Sequence, residues 1–166
     1  SLFGARLAAL AGLPYGFASH FAPAALREAV ALYRREFEPS DQLDRPYVIA
    51  GVNVIAADTE DDARSQLQAV RRRRLASFLP KGRSFPDAEL DRILASAHGA
   101  HVNEMMHYTA AGTPDAVRAY LEDFVTEADA DELIVVHASP GVENRLRSVD
   151  LLADVMDPAG APAAIG

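Results

Sequence analysis

Residues 47–57, with the sequence YVIAGVNVIAA, are almost wholly apolar and rich in β-branched side chains. Only Gly51 and Asn53 interrupt the run. A strand that is apolar on both faces is typical of a parallel sheet with helices on each side, whereas a half-exposed strand alternates with polar residues. The run therefore predicts a buried strand in an α/β fold.

Strand and helix patterns alternate along the rest of the chain, with helix starts marked by residues such as Pro23 and the pair Thr113-Pro114. Apolar side chains at helical spacing follow each start. The pattern predicts four strand-then-helix units. Strands are predicted over residues 15–19, 47–57 and 133–137 and within 102–110, and helices over 2–11, from 23 to Pro39, 58–74, 88–97, from 113 onwards and over 147–156.

Composition narrows the class of protein. The chain has 166 residues, of which 49% are hydrophobic, and this length suits one domain with a real core. The net charge of -8 opposes binding to nucleic acid or to an anionic membrane. The chain has no cysteine, which excludes disulfides and thiolate metal sites. Without an apolar run of about 18 residues or a signal-peptide pattern, we expect a soluble cytoplasmic protein with small-molecule or protein partners.

The two ends of the chain suggest a part of a larger fold. Residue 1 is serine, and residues 2–10 already form a helical pattern, so no strand precedes the first helix. We expect the second half of a longer protein, with one domain over residues 1–157. Residues 158–166 contain only small or apolar residues and proline, which predicts a flexible tail.

The segment over residues 13–23 carries the first candidate site. Its apolar run ends at Ser19 and His20, which are followed by Phe21 and by the helix start at Pro23. Ligands of parallel α/β proteins meet the carboxyl ends of the strands, so these three residues are predicted to line a pocket. For His20 the alternative is a hydrogen-bonded structural histidine. Ser19 and Phe21 likewise have a structural alternative, which for Phe21 is a place in the core. His137, which ends the last strand, has the same two interpretations.

His98, His101, Glu104 and His107 resemble a metal-ligand cluster in composition. Positions nine apart on a helix lie on opposite sides, so His98 and His107 would not share one ion. We therefore predict no metal site here. His107 is the member of this cluster expected in a pocket, close to the end of the third predicted strand.

Four consecutive arginines, Arg71 to Arg74, close the predicted helix over residues 58–74. Positive charge near a helix C-terminus complements the helix dipole, and consecutive residues point to different sides of a helix. A solvent-exposed helix end is favoured over a phosphate or nucleic-acid patch.

The motifs GLPYGFASHFAP at 12–23, NVIAADT at 53–59, GTP at 112–114 and ADELI at 130–134 occur in an order that resembles the bacterial luciferase-like flavin monooxygenases. The resemblance covers nearly the whole chain. That family has a TIM-type (β/α)8 barrel roughly twice this length, so the resemblance implies that strands five to eight are present here and strands one to four are not.

The resemblance implies an enzyme that oxygenates a small organic substrate with reduced FMN and O2, the flavin being reduced by a partner reductase or by NAD(P)H. The FMN phosphate would lie at the first helix, against Ser1, Leu2, Phe3 and Gly4, since a helix N-terminus presents unpaired N–H groups to an anion. His20 is then the candidate catalytic residue. Ser19, Phe21, His107 and His137 would line the pocket.

Two alternatives stay open. A relative of the same family would use the deazaflavin F420 for hydride transfer, and a non-catalytic half-barrel would serve only flavin binding or assembly. Half a barrel exposes two strand edges, so we expect either a homo-oligomer or a missing N-terminal half to close it.

Overall fold

A computed structural model describes residues 1–20, 22–80 and 82–156. The predicted alternation of helices and strands is present. Short 3₁₀ turns over Pro23–Ala25 and Ala97–Gly99 lead into α2 and α5. The elements are α1 (Leu2–Leu10), β1 (Tyr15–Phe17), α2 (Leu26–Glu36), β2 (Val48–Ala56), α3 (Glu60–Ala76), α4 (Asp87–Leu94), α5 (Ala100–Met105), β3 (Thr109–Gly112), α6 (Pro114–Ala128), β4 (Glu132–His137) and α7 (Val142–Val155).

The four strands of the described chain form one parallel sheet with β2 at its centre. β1 pairs with the first part of β2, beginning at Tyr15 opposite Val48. β3 pairs with the last part, where Thr109 lies opposite Asn53. β4 pairs along residues 49–54 and overlaps both of these registers, so it occupies the opposite edge of β2. The predicted α/β class with a parallel sheet is confirmed.

The order of the strands differs from that expected of four consecutive strands of a barrel. In a (β/α)8 barrel each strand pairs with the next along the chain, whereas here β4 pairs with β2. The second edge of β2 carries backbone groups that need partners, and the β4 segment supplies them. Its ends are fixed by hydrogen bonds from Asp131 N to Val48 O and from Ala138 N to Val54 O, both 2.9 Å.

Helices cover both faces of β2, as its apolar sequence predicts. On one face, the side chains from Val48 to Ala56 at alternate positions pack in the main core with residues of α1, α2, α6 and α7. On the other face, Ile55 packs with Val70 of α3 and with Met106. A smaller cluster joins α3 to α4 and α5 through Leu75, Leu90, Leu94 and Val102. We call this second side of the sheet the α3 face.

Local signals placed several helix starts correctly. The Thr59 hydroxyl accepts a hydrogen bond from Asp62 N at 3.2 Å, and three acidic residues follow it in the first turn of α3. Pro114 opens α6, whose buried residues include Val117, Leu121 and Phe124. Among the helices of residues 1–20, 22–80 and 82–156, none is long and apolar enough to cross a membrane.

Three predicted boundaries were wrong. β1 ends at Phe17 and not at Ser19, because Ser19 N turns back to hydrogen bond with Phe17 O at 2.9 Å. α7 begins at Val142, five residues before the predicted start, after a turn at Gly141 with φ of 75°. The strand predicted within residues 102–110 begins only at Thr109, after α5, and runs on to Gly112. The predicted tail at 158–166 lies outside the described residues.

Candidate functional site

Ser19 and His20 follow β1 and cross over the middle of β2. The buried Ser19 hydroxyl donates a hydrogen bond to the Gly51 carbonyl at 2.5 Å, which fixes the chain to β2. The His20 ring then lies directly against Gly51, where a Cβ atom would overlap it. The glycine that interrupts the apolar run of β2 is therefore what admits the histidine. Phe21, predicted beside them, lies outside the described residues.

The surroundings of His20 favour its neutral form. Burial lowers the pKa of His20, and the positive charge of Arg74 on α3 lowers it further. The imidazole is therefore mostly uncharged at neutral pH. A neutral imidazole has one donor and one acceptor nitrogen, which suits it to hydrogen bonding or proton transfer at a bound molecule.

Beside Arg74, a cavity of about 370 Å³ opens on the α3 face between α3, β2, β4 and the start of α7. We call it the Arg cavity. The arginines at the end of α3 were predicted to be solvent-exposed. Arg73 is exposed, but Arg74 is half-buried, and both line the cavity. Its polar lining consists of Asn53, Arg73, Arg74, Ser77, His137 and Arg145.

Asn53 is the polar residue of β2 that lines this cavity, and it is only 1% exposed. Its side-chain nitrogen contacts Thr109 Oγ1 at 3.4 Å. Thr109 Oγ1 gives its own proton to Met106 O at 2.8 Å, so it can only accept from Asn53, which fixes the orientation of the amide. Asn53 Oδ1 is buried without a hydrogen-bond partner among the described residues. Sequence reasoning passed over Asn53, although a single amide in an apolar strand was the available signal.

His137 ends β4, as predicted, and its ring contacts α7. His137 Nδ1 lies 2.8 Å from Ser148 Oγ, which also accepts a hydrogen bond from Ala56 N at 3.0 Å. The Ser148 hydroxyl therefore joins the Ala56 backbone to the His137 ring, and the donor in the bond between Ser148 and His137 depends on the tautomer of the ring. Burial lowers the pKa of His137. The ring makes the structural hydrogen bond of the alternative interpretation, and His137 also lines the Arg cavity.

The predicted phosphate-binding segment forms the start of α1. Ser1 Oγ accepts a hydrogen bond from Gly4 N at 3.2 Å, and Tyr15 donates its hydroxyl proton to Ser1 O at 3.3 Å. Leu2 and Phe3 are exposed. α1 packs through its alanines into the main core, so this segment lies on the opposite side of the sheet from the Arg cavity.

His107 is not near the end of a strand, which corrects its predicted position. It precedes β3 by two residues and is exposed, with its ring centroid 4.7 Å from that of Tyr108. It lines a separate cavity of about 300 Å³ together with Arg27 and Glu104. Within residues 1–20, 22–80 and 82–156, no group of three or more His, Cys, Asp or Glu side chains could hold a metal ion.

Comparison with known proteins points to one protein family. The family model for luciferase-like monooxygenases matches residues 1–132. The Bacillus subtilis (strain 168) protein YvbT is 41% identical over 155 residues, and a luciferase-like monooxygenase of Escherichia coli (strain K12) is 35% identical over 163 residues. The crystal structure of apo-MsnO8 matches with a TM-score of 0.71 and 29% identity, over 93% of this chain and 48% of that one.

The chain spans about half the length of the relatives that it matches. The alignment with YvbT covers 92% of this chain but 46% of YvbT, and that with the E. coli protein covers 95% and 48%.

Proposed function

Because the chain belongs to the luciferase-like monooxygenase family, we propose that it forms the C-terminal half of a flavin-dependent monooxygenase barrel that oxygenates a small organic substrate. The observation that carries this proposal is the family match over residues 1–132, which takes in α1, the His20 segment, β2 and β3. Gly51 and Ser19 hold His20 against the middle of β2.

The start of α1 is compatible with the phosphate of FMN. Ser1 provides a hydroxyl, Gly4 allows close approach, and the first N–H groups of a helix attract an anion. When bound, reduced FMN supplies the electrons for the reaction with O2, and NAD(P)H or a separate reductase renews them. The role of Ser1, Leu2, Phe3 and Gly4 is to hold the phosphate.

His20 is assigned to the substrate side of the pocket. Its lowered pKa keeps the imidazole neutral, so the ring can accept a proton from a substrate group or donate one to it. Gly51 contacts the ring, and the hydrogen bond from Ser19 to the Gly51 carbonyl fixes the segment that carries it.

Exposed apolar side chains support the proposal that a second half completes the fold. They form one stripe at helical spacing on α1 and another on α7. α1 contacts β1 and α7 contacts β4, and these two strands pair with opposite edges of β2. Apolar surface at both open edges is expected of a half that packs against another half. The two stripes consist of Phe3, Leu7 and Leu10 on α1 and of Val142, Leu146 and Val149 on α7.

The test combines mass, flavin uptake and oxygen consumption. Light scattering gives the mass of the assembly, an anaerobic titration measures binding of reduced FMN, and an oxygen electrode follows turnover with NADH and a flavin reductase. We expect a mass of at least two chains, FMN uptake and flavin-dependent substrate oxygenation. His20→Asn should lower turnover and keep FMN uptake, whereas His101→Asn, which alters an exposed histidine next to Phe78, should change neither.

The alternatives predict different results in the same assays. Uptake of F420 with hydride transfer and no O2 consumption supports the deazaflavin enzyme. Flavin uptake without turnover supports a non-catalytic binding module. A monomer that binds neither cofactor and consumes no O2 contradicts the proposal for this chain.

A further inference from the structure

The Arg cavity concentrates positive charge in a chain whose net charge is -8. Arg73 and Arg74 reach it from α3 and Arg145 reaches it from α7, and no acidic residue in the described part of the chain lines it. Neither Arg73 nor Arg145 forms an ion pair with a residue in the described ranges. The cavity therefore presents cations that the described carboxylates do not neutralise.

Arginines close to these in sequence behave differently. Arg72, next to Arg73, contacts Asp87 at 2.6 Å and Asp91 at 2.5 Å. Arg147, two residues after Arg145, pairs with Asp58. The protein thus provides carboxylate partners for these two neighbouring arginines, whereas Arg73 and Arg145 have no ion-pair partner among the described residues.

Within the cavity, the positive charges oppose one another. Burial lowers the pKa of Arg74, and the charge of neighbouring Arg73 lowers it further. Two guanidinium groups that lie close together repel each other, and an anion bound beside them would relieve that repulsion. The buried Asn53 Oδ1 adds an acceptor, without a described partner, to the same lining.

We propose that the Arg cavity binds a phosphate group, either as free phosphate or as part of a small phosphate ester. Guanidinium groups bind phosphate oxygens with two parallel N–H donors, and several cations favour a dianion over a single carboxylate. For free phosphate, Asn53 Oδ1 accepts the hydroxyl that this anion carries at neutral pH and that sulfate and the dianion of a phosphate ester lack. The site goes beyond the proposed monooxygenase function, because the segment assigned to the FMN phosphate lies on the other side of the sheet.

The test is calorimetric titration of the chain with inorganic phosphate in a phosphate-free buffer of low ionic strength. We expect saturable binding, weaker binding of sulfate, and about tenfold weaker phosphate binding in Arg73→Gln and in Arg145→Gln, since each removes charge-assisted hydrogen bonds. Both side chains are exposed, so the fold should persist, which thermal unfolding without phosphate checks. Arg64→Gln removes the same charge from α3 away from the cavity and should change binding less than twofold.

Competition identifies the source of the phosphate. Displacement by FMN but not by riboflavin means that the cavity takes a flavin phosphate, and no displacement by either means that it takes another phosphate-bearing molecule. Three results would overturn the proposal. The first is no saturable binding up to about 10 mM phosphate, which is weaker than a specific millimolar affinity. The others are sulfate binding that is as tight as phosphate binding or tighter, and a loss of phosphate affinity in Arg64→Gln as large as that in Arg73→Gln.

Discussion

The His20 ring and the backbone of Gly51 are in direct contact, so that β2 accommodates the histidine only because residue 51 lacks a Cβ atom. Substitution Gly51→Ala should displace the ring and lower the free energy of unfolding by about 1–3 kcal/mol, the usual effect of overpacking a buried site. Urea unfolding measures the change. Gly16→Ala is the matched control, because a Cβ on that strand glycine has no atom within 4 Å.

The expected result for Gly16→Ala is a free energy of unfolding within about 0.5 kcal/mol of the parent. If both alanine variants unfold at the same urea concentration as the parent, the His20 ring is not held against β2 as described.

Ser148 connects β2, β4 and α7 through one buried hydroxyl. It accepts a hydrogen bond from Ala56 N and shares another with His137 Nδ1, so Ser148→Ala leaves a buried N–H group without a partner. We expect a loss of about 1–3 kcal/mol in the free energy of unfolding. Ser139→Ala is the control, since the Ser139 hydroxyl is fully buried but has no hydrogen-bond partner among the described residues.

Ser139→Ala should be neutral or stabilising, and an equal loss in the two variants would contradict the assigned hydrogen bonds. Nitrogen NMR of the parent gives a second measurement, because it shows which nitrogen of the His137 ring carries the proton and so which group donates in the bond with Ser148.

Structural features that are determined by residues close together in the sequence were predictable. The burial of β2 follows from its own apolar run, and the start of α3 follows from Thr59 and the acidic residues after it. The start of α6 was placed correctly, but the Thr113 side chain does not cap it. Instead Glu60, 53 residues earlier, accepts hydrogen bonds from Thr113 N at 2.9 Å and Thr113 Oγ1 at 3.0 Å.

Features that join distant segments were not predictable. The pairing of β4 with β2 depends on which strand edges meet, and no periodicity in either segment records that choice. The Arg cavity requires the end of α3 to approach the start of α7, about 70 residues later. In the sequence alone, Arg73 and Arg74 look like ordinary charges at a helix end, because their surroundings come from β2 and β4.

Stability should fall as the pH is lowered from 7.5 to 5.5. Burial holds the pKa values of His20 and His137 below the ordinary value of about 6.5, so the unfolded chain binds more protons than the folded chain in this range. Their contribution is complete above pH 6.5 and is lost as the pH falls towards the folded pKa values. Asp58 and Asp91, whose pKa values are lowered by hydrogen bonds from Arg147 and Arg72, act only at more acidic pH.

Urea unfolding at several pH values measures this slope. His20→Asn and His137→Asn should each make the stability less dependent on pH between 7.5 and 5.5. A slope that is unchanged in both variants contradicts the assignment of the effect to these two histidines.

The apolar stripe on α7 should control assembly. Leu146 is 60% exposed and lies between Val142 and Val149 on one side of the helix, so association with a second half or a second chain would bury it. Leu146→Glu places a charge in that contact and should shift the mass measured by light scattering towards 17.8 kDa, the mass of one chain. Asn144→Glu adds the same charge at an exposed position of α7 off the stripe and should leave the mass unchanged. An assembly that survives Leu146→Glu, or one that Asn144→Glu dissociates equally well, would mean that the α7 stripe is not the contact surface.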